Sequence, residues 1–187
     1  LLARDGSRSH QHKGDYGSVM VIGGHPTMGG AVIMSGEAAF RVGAGRVTIS
    51  THPNHHPAII ARKPNLMGHD IDQMDEGRLE HMTAICIGMG LGRDAWSAQA
   101  FERYLPIMAG MSIPVVMDAD ALGHLAAHPD TRLPANVIAT PHHAEAARLL
   151  GISADEVEAD RIHAIRSLQA RYGGQWVLKG ANTLSID

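Results

Sequence analysis

The 187 residues contain one cysteine, Cys86, so an intrachain disulfide is excluded and a reducing compartment is the simple expectation. It lies inside the apolar run Ala84-Ile85-Cys86-Ile87, where a buried core thiol is the ordinary expectation. No stretch reaches the ~18 apolar residues of a membrane-spanning helix, and the N-terminus lacks the basic-then-apolar order of a signal peptide. Blocks of like charge are absent as well. With a formal charge of −3, neither a disordered tail nor a nucleic-acid or membrane surface is expected. There is no internal repeat, low-complexity tract or interdomain linker. What remains is a cytoplasmic protein whose partner is a small molecule.

What is present suits one compact domain, or one domain with its end missing, because 44% of the 187 residues are hydrophobic and a single core is comfortable at this size. Residues 1–187 are therefore read as a single domain. Thirteen histidines raise the question of a metal, and His52, His55 and His56 are the densest group. No second ligand group stands at a recognisable spacing, and Pro53 and Pro57 make the segment a turn and helix start with solvent-exposed histidines; no metal site is expected.

Short runs rich in Val and Ile alternate with longer helical patterns, which predicts βαβ units and a mostly parallel sheet. Strands are expected at 18–22, 46–50, 84–87, 114–117, 137–139 and 175–178, each opening into glycine or polar residues. Helices are expected at 31–42, at 94–108 with Asp94 as cap, and as one helix at 154–172. Ser153 and Glu156 have capping-box spacing there, and Gly173-Gly174 supplies the stop. In open α/β sheets ligands bind beyond the carboxyl ends of the strands, so function is sought at those ends.

Five segments lie there, each with a structural alternative. Gly23-Gly24 and Gly29-Gly30 bracket a loop before a helix, fit either to face an anion or merely to turn; the pattern is not GxGxxG. Gly88-Met89-Gly90-Leu91-Gly92 lets backbone approach a flat or charged ligand, or forms a turn. Asp118 and Asp120 can orient a hydroxyl or a hydrated magnesium ion, or cap a helix. His142, with Glu145 in the first turn of the next helix, can donate to a phosphate or carboxamide, or be a plain loop residue. Lys179, Gly180, Ala181, Asn182 and Thr183 combine a cation, flexible backbone and a hydroxyl suited to phosphate; they also fit a hairpin turn between 176–178 and 184–186.

In this order the segments resemble the NAD(P)H-hydrate dehydratase family, also met as the C-terminal half of bifunctional repair enzymes whose other half is an NAD(P)HX epimerase. The anchors run from Lys13-Gly14-Asp15-Tyr16-Gly17 through the loop to Gly30-Ala31, Gly36-Glu37-Ala38-Ala39, Arg41-Val42-Gly43-Ala44-Gly45, Gly88 to Gly92, Asp118 to Leu122, Thr140-Pro141-His142 and Lys179 to Thr183. The resemblance implies a three-layer ribokinase-like α/β domain that removes water from the S epimer of hydrated NADH or NADPH (NAD(P)HX). It implies ADP or ATP and Mg2+ as cofactors, and a homo-oligomer, often a tetramer. Ala31, Gly90, Gly92 and His142 are then expected at the hydrated nucleotide, and Lys179 to Thr183 at the phosphates of ADP.

Three differences stand against the family pattern. His143-Ala144 replaces Pro-Gly before Glu145, Gly123 replaces an asparagine, and the sequence ends at Asp187, before the glycine-rich segment whose Gly-Asp carries the expected catalytic aspartate. That base is expected beyond residue 187, in a chain that is either a fragment or naturally short. Two rivals remain: a ribokinase-like kinase of a small hydroxylated metabolite, and a non-catalytic nucleotide-binding remnant.

Overall fold

The computed structural model describes residues 13–73 and 76–187. The N-terminal residues 1–12, where the absence of a signal-peptide pattern was noted, lie outside the described residues. Strands run over Ser18–Gly23 (β1), Arg46–Thr51 (β2), Met67–Asp70 (β3), Ala84–Met89 (β4), Val115–Met117 (β5), Leu133–Ala139 (β6), Gly173–Leu178 (β7) and Leu184–Ile186 (β8). They form one eight-stranded sheet in the order β3-β2-β1-β4-β5-β6-β7-β8. Every pairing is parallel except β7 with β8, the predicted hairpin.

The helices are Gly29–Arg41 (α1), His56–Arg62 (α2), Glu76–Glu80 (α3), Ala95–Gly110 (α4), Asp120–Ala126 (α5), His143–Leu150 (α6), Ala154–Ala159 (α7) and Arg161–Tyr172 (α8). Alternation of side chains along the strands sorts them into two cores. On one face Ile85, Ile87, Val115, Met117, Val137 and Trp176 are fully buried under apolar residues of α4 to α8, Phe101, Leu125 and Leu168 among them. On the other, Val21, Val47 and Ile49 pack against Val32 of α1 and Ile59 of α2.

That second layer is short. It covers β1 and β2, whereas Cys86, Val116, Ile138 and Val177, which point the same way from β4 to β7, stay only half-buried. Two open cavities of about 640 and 280 Å³ lie on this face. Cys86 is thus a partly buried thiol on a thinly covered part of the sheet, not the fully buried core residue expected.

Two further expectations are corrected. The single helix over 154–172 is broken at Asp160, whose backbone leaves helical geometry (φ −144°, ψ 80°) so that its carboxylate accepts from the His163 N–H and starts α8 afresh. The capping box of Ser153 and Glu156 is present. The histidines 52, 55 and 56 do form a turn and helix start, yet all three are half-buried, and His55 Nε2–H donates to the His25 carbonyl at 2.8 Å. Helix α1 begins at Gly29, two residues before the predicted start, with Ala31 in its first turn.

At the amino-terminal edge of the sheet, the Gly45 N–H lies 3.2 Å from both the Tyr16 and Gly17 carbonyls, and Arg46 N–H donates to Gly17 O at 3.1 Å. Two anchors of the resemblance, 13–17 and 41–45, therefore brace each other. They sit at the end of the sheet opposite the polar loops.

Candidate functional site

Strands β1, β4, β5, β6 and β7 all point their carboxyl ends to one edge, and the loops that leave them hold nearly every polar residue singled out above. Three of these loops meet around Lys179. Its ammonium lies 2.7 Å from Asp118 Oδ1 and 4.0 Å from Glu145 Oε2, while its backbone N–H donates to Pro141 O at 2.8 Å. The β5, β6 and β7 ends are thereby tied together.

His142 is the N-cap of α6. Its Nδ1 accepts from the Ala144 N–H at 3.1 Å, which leaves the proton on Nε2 in the neutral ring. That nitrogen is 3.6 Å from Glu145 Oε1, on a side chain 48% exposed. Glu145 in turn accepts from His142 N–H at 2.8 Å and is buried. The half-exposed Lys179 ammonium and the imidazole Nε2–H thus both lie beside Glu145 at the amino end of α6, donors suited to an anion that already face the Glu145 and Asp118 carboxylates. Glu145 was read only as a helix-dipole partner; its spacing three residues after His142 is the signal that marks it as the other half of a capping box.

Asp118 and Asp120 do not act as a pair. Ala119 between them has a positive φ of 52°, and the chain has already turned into α5 at Asp120. Asp118 Oδ1 accepts from Ala119 N–H and faces Lys179. Asp120 turns the other way, accepting from Gly92 N–H at 3.0 Å and Arg93 Nε at 3.1 Å. It anchors the β4–α4 loop.

That loop is also joined to the β1–α1 loop. Gly24 and His25 N–H groups donate to the carbonyls of Met89 (3.1 Å) and Gly90 (2.6 Å), and a Cβ on Gly90 would sit 2.7 Å from Met28 O and 3.2 Å from Ala31 Cβ. Gly90 (φ +59°) and Gly92 (φ +86°) occupy left-handed backbone. Their glycines are accounted for by this loop contact and by turn geometry. Ala31 and Gly90 lie against each other, both half-buried, whereas Gly92 is buried beneath His25.

The segment 179–183 is the turn between β7 and β8. Gly180, Ala181, Asn182 and Thr183 are exposed, and Thr183 Oγ1–H donates to Gly180 O at 3.0 Å. Arg161, which the sequence gave no reason to single out, lies behind the turn. Its Nη2 is 3.1 to 3.4 Å from the carbonyl oxygens of Leu178, Lys179 and Asn182, and its Nη1 donates to Glu158 at 2.7 Å.

Among the described residues no group of three His, Cys, Asp or Glu side chains could hold a metal ion. Mg2+ asks for less when a polyphosphate supplies ligands, since it keeps several waters and takes one or two carboxylates. Asp118, with one oxygen on Lys179 and 29% of its side chain exposed, fits that lesser demand.

A family model described as NAD(P)H-hydrate dehydratase matches residues 19–187. A bifunctional NAD(P)H-hydrate repair enzyme, Nnr, of Coxiella burnetii is 47% identical over 178 residues, 94% of this chain and 35% of that protein. Among solved structures, a ribokinase-like superfamily protein of Enterococcus faecalis superposes with a TM-score of 0.84 at 30% identity, over 95% of this chain and 62% of its own. The ADP/ATP-dependent NAD(P)H-hydrate dehydratase of Bacillus subtilis, co-crystallised with ATP/Mg2+, gives 0.78 at 30% identity over 98% and 64%. The chain thus spans about a third of the bifunctional relative and under two thirds of each of these structures. With its ribokinase-like α/β sheet and a match over nearly its whole length, this chain belongs to the NAD(P)H-hydrate dehydratase family.

Proposed function

We propose that the polypeptide containing this chain removes water from the S epimer of hydrated NADH or NADPH, using ADP, and so returns NADH or NADPH. The observation that supports this most directly is Lys179, the first residue of the exposed 179–183 turn, held against Asp118 and linked through Glu145 to the His142 Nε2–H at the carboxyl end of the sheet. The ring hydroxyl is a poor leaving group until phosphorylated. Transfer of the terminal phosphoryl of ADP to it forms one O–P bond and breaks another, leaving AMP. Phosphate then departs with the ring C–O bonding electrons as a proton is lost from the neighbouring carbon.

In this reading Lys179 and the turn 180–183 hold the ADP phosphates, Asp118 orients the hydroxyl or the waters of Mg2+, and Ala31, Gly90, Gly92 and His142 line the hydrated nucleotide. Bound Mg2+ supplies charge neutralisation to the phosphates. Lys179→Ala weakens ADP binding by about 1–3 kcal/mol, the scale of a charge-assisted contact, as measured by calorimetry. An unchanged affinity removes Lys179 from the phosphate site.

The deciding experiment is recovery of NADH absorbance from purified NADHX with ADP and magnesium, using the complete open reading frame. Recovery is expected. Accumulation of a phosphorylated alcohol instead identifies a kinase, and ADP binding without either product a non-catalytic binder.

Residues 1–187 are proposed as one domain that continues beyond Asp187, where the base would lie. The uncovered face around Cys86, Val116 and Val177 and the partial coverage of both solved relatives support this. Cys86 reports on it. Burial already pushes its thiol pKa up. In the complete polypeptide Cys86 should react with a thiol reagent at least about tenfold more slowly than in the chain ending at Asp187, at a protein concentration where both are monomeric; equal rates would leave the face open. An epimerase domain in the same polypeptide is proposed from the bifunctional Coxiella relative. A homo-oligomer is proposed separately, on the exposed Met34, Val42 and Ile60 on and beside α1 and α2, which offer apolar surface. No described helix is long and apolar enough to cross a membrane, and a cytoplasmic place is part of the same proposal.

A further inference from the structure

The edge that carries the candidate site does not stop at Gly90 and Gly92. Beyond it β1 leads into His25, β2 into His52, and the first turn of α4 presents Trp96. The His25 and Trp96 rings meet edge-to-face at 5.6 Å and 77°, and His52 and Trp96 at 5.9 Å and 62°. Gly92 passes against His25: a Cβ there would lie 3.0 Å from the ring. The rings are therefore joined to Gly90 and Ala31 through His25, whose ring lies over buried Gly92 and whose backbone N–H donates to Gly90 O.

Each is tethered by a polar contact. His25 Nδ1 lies 2.9 Å from Thr27 Oγ1 and its Nε2 3.0 Å from Asp94 Oδ2; Trp96 Nε1–H donates to Asp72 Oδ2 at 3.2 Å; Asn54 N–H donates to His52 Nδ1 at 3.3 Å. All are half-buried. In a chain with 4% aromatic residues and two tryptophans, one tryptophan, Trp176, is wholly buried, and the other is held at the ligand edge among immobilised imidazoles. Rings fixed in this way present π-faces to a flat heterocycle at little further cost in side-chain entropy.

We infer that His25, His52 and Trp96 form a base-stacking subsite that takes the adenine end of the hydrated dinucleotide. This rests on the dehydratase reading. The end is assigned by chemistry: the nicotinamide ring has to lie beside the phosphoryl donor, at Asp118 and Lys179. Strand β2 lies three strand spacings from β5, about 14 Å at roughly 4.8 Å each, a separation that suits the two bases of an extended dinucleotide.

The complete polypeptide is tested with two substrates, NADHX and the hydrate of reduced nicotinamide mononucleotide, which lacks the adenylate. Trp96→Ala is expected to lower the ratio of their kcat/KM values on the order of tenfold, the scale of one base–aromatic stack, chiefly through the KM for NADHX. Trp96→Phe keeps most of the ratio. A purely structural role shifts both substrates alike and leaves the ratio unchanged, which overturns the subsite. In parallel, NAD+ added to the wild type under saturating ADP should quench tryptophan fluorescence saturably, with nicotinamide mononucleotide ineffective, and Trp96→Phe should lose that quench, which assigns it to Trp96 and not to the buried Trp176 or to any tryptophan beyond residue 187. Quenching that depends on Trp96 without NADHX turnover fails the dehydratase reading and keeps the stacking subsite; turnover with an unchanged ratio and no quenching does the reverse.

Discussion

Gly88→Ala will lower the thermal midpoint of this protein by roughly 6–12 °C, at roughly 2–4 °C per kcal/mol for a chain of this size. Gly88 ends the buried part of β4 with φ +118°, where a side chain strains the backbone by about 1–3 kcal/mol on its own. An added Cβ would also lie 1.9 Å from Asp118 O, 2.7 Å from Ala121 Cβ and 2.9 Å from Ala121 N. None of these is the far end of a flexible side chain. The β5–α5 turn has to move as a unit, and it already carries Ala119 at positive φ. Strain and displacement together come to about 3 kcal/mol or more. The displaced carbonyl belongs to Asp118, whose carboxylate holds Lys179, so ADP affinity should fall with the stability. Circular dichroism melts of Gly88→Ala beside wild type check the first claim; a midpoint within about 2 °C of wild type would show that the turn gives way freely.

Gly88 also shows where sequence reasoning runs out. Three glycines in five residues at a strand end suggest close approach to a flat or charged ligand, or a turn, whereas for Gly88 the close approach is to the backbone of the neighbouring β5–α5 turn. The central strands were legible because one face is wholly buried and the other still apolar, so that Ile85, Val115, Val137 and their half-buried neighbours Cys86, Val116 and Ile138 read as unbroken apolar runs. β3 was missed for the converse reason: Met67-Gly68-His69-Asp70 is an edge strand with exposed Met67 and Gly68, so it carries no apolar run. The break at Asp160 was hidden because buried Val157, Ile165 and Leu168 keep helical spacing across it, although Ile162, counted in the same stripe, is 56% exposed. Within the site, the contributing loops were legible from their place after strands. The pairing of Lys179 with Asp118 and the assembly of His25, His52 and Trp96 were not, since both join distant segments through register.

Arg161→Met is expected to raise the dissociation constant for ADP tenfold or more, about 1.4 kcal/mol. Arg161 opens α8, where a cation opposes the helix dipole, and its side chain is only 16% exposed with Nε buried and unpartnered. Those costs are offset by its grip on the carbonyls of Leu178, Lys179 and Asn182. The grip fixes the backbone beyond it. In a planar trans peptide the C=O and N–H point opposite ways, so turning the Lys179 and Asn182 carbonyls inward turns the Gly180 and Thr183 N–H groups outward, as donors ready for a phosphate. The guanidinium also lies so close to Gly180 that a Cβ there would meet it at 2.7 Å. Removing it leaves three carbonyls without a charged donor, so some stability is lost as well, about 1.5–3 kcal/mol if the bonds to Arg161 act as one charged contact. Arg161→Lys should recover only part of the affinity, because an ammonium lacks the planar fork that reaches the turn and Glu158 at once. Calorimetry on folded Arg161→Met, in the complete polypeptide, separates the two effects. A wild-type ADP affinity with lowered stability would make Arg161 a brace for the hairpin alone, and the orientation of the Gly180 and Thr183 N–H groups would then have no part in holding the nucleotide.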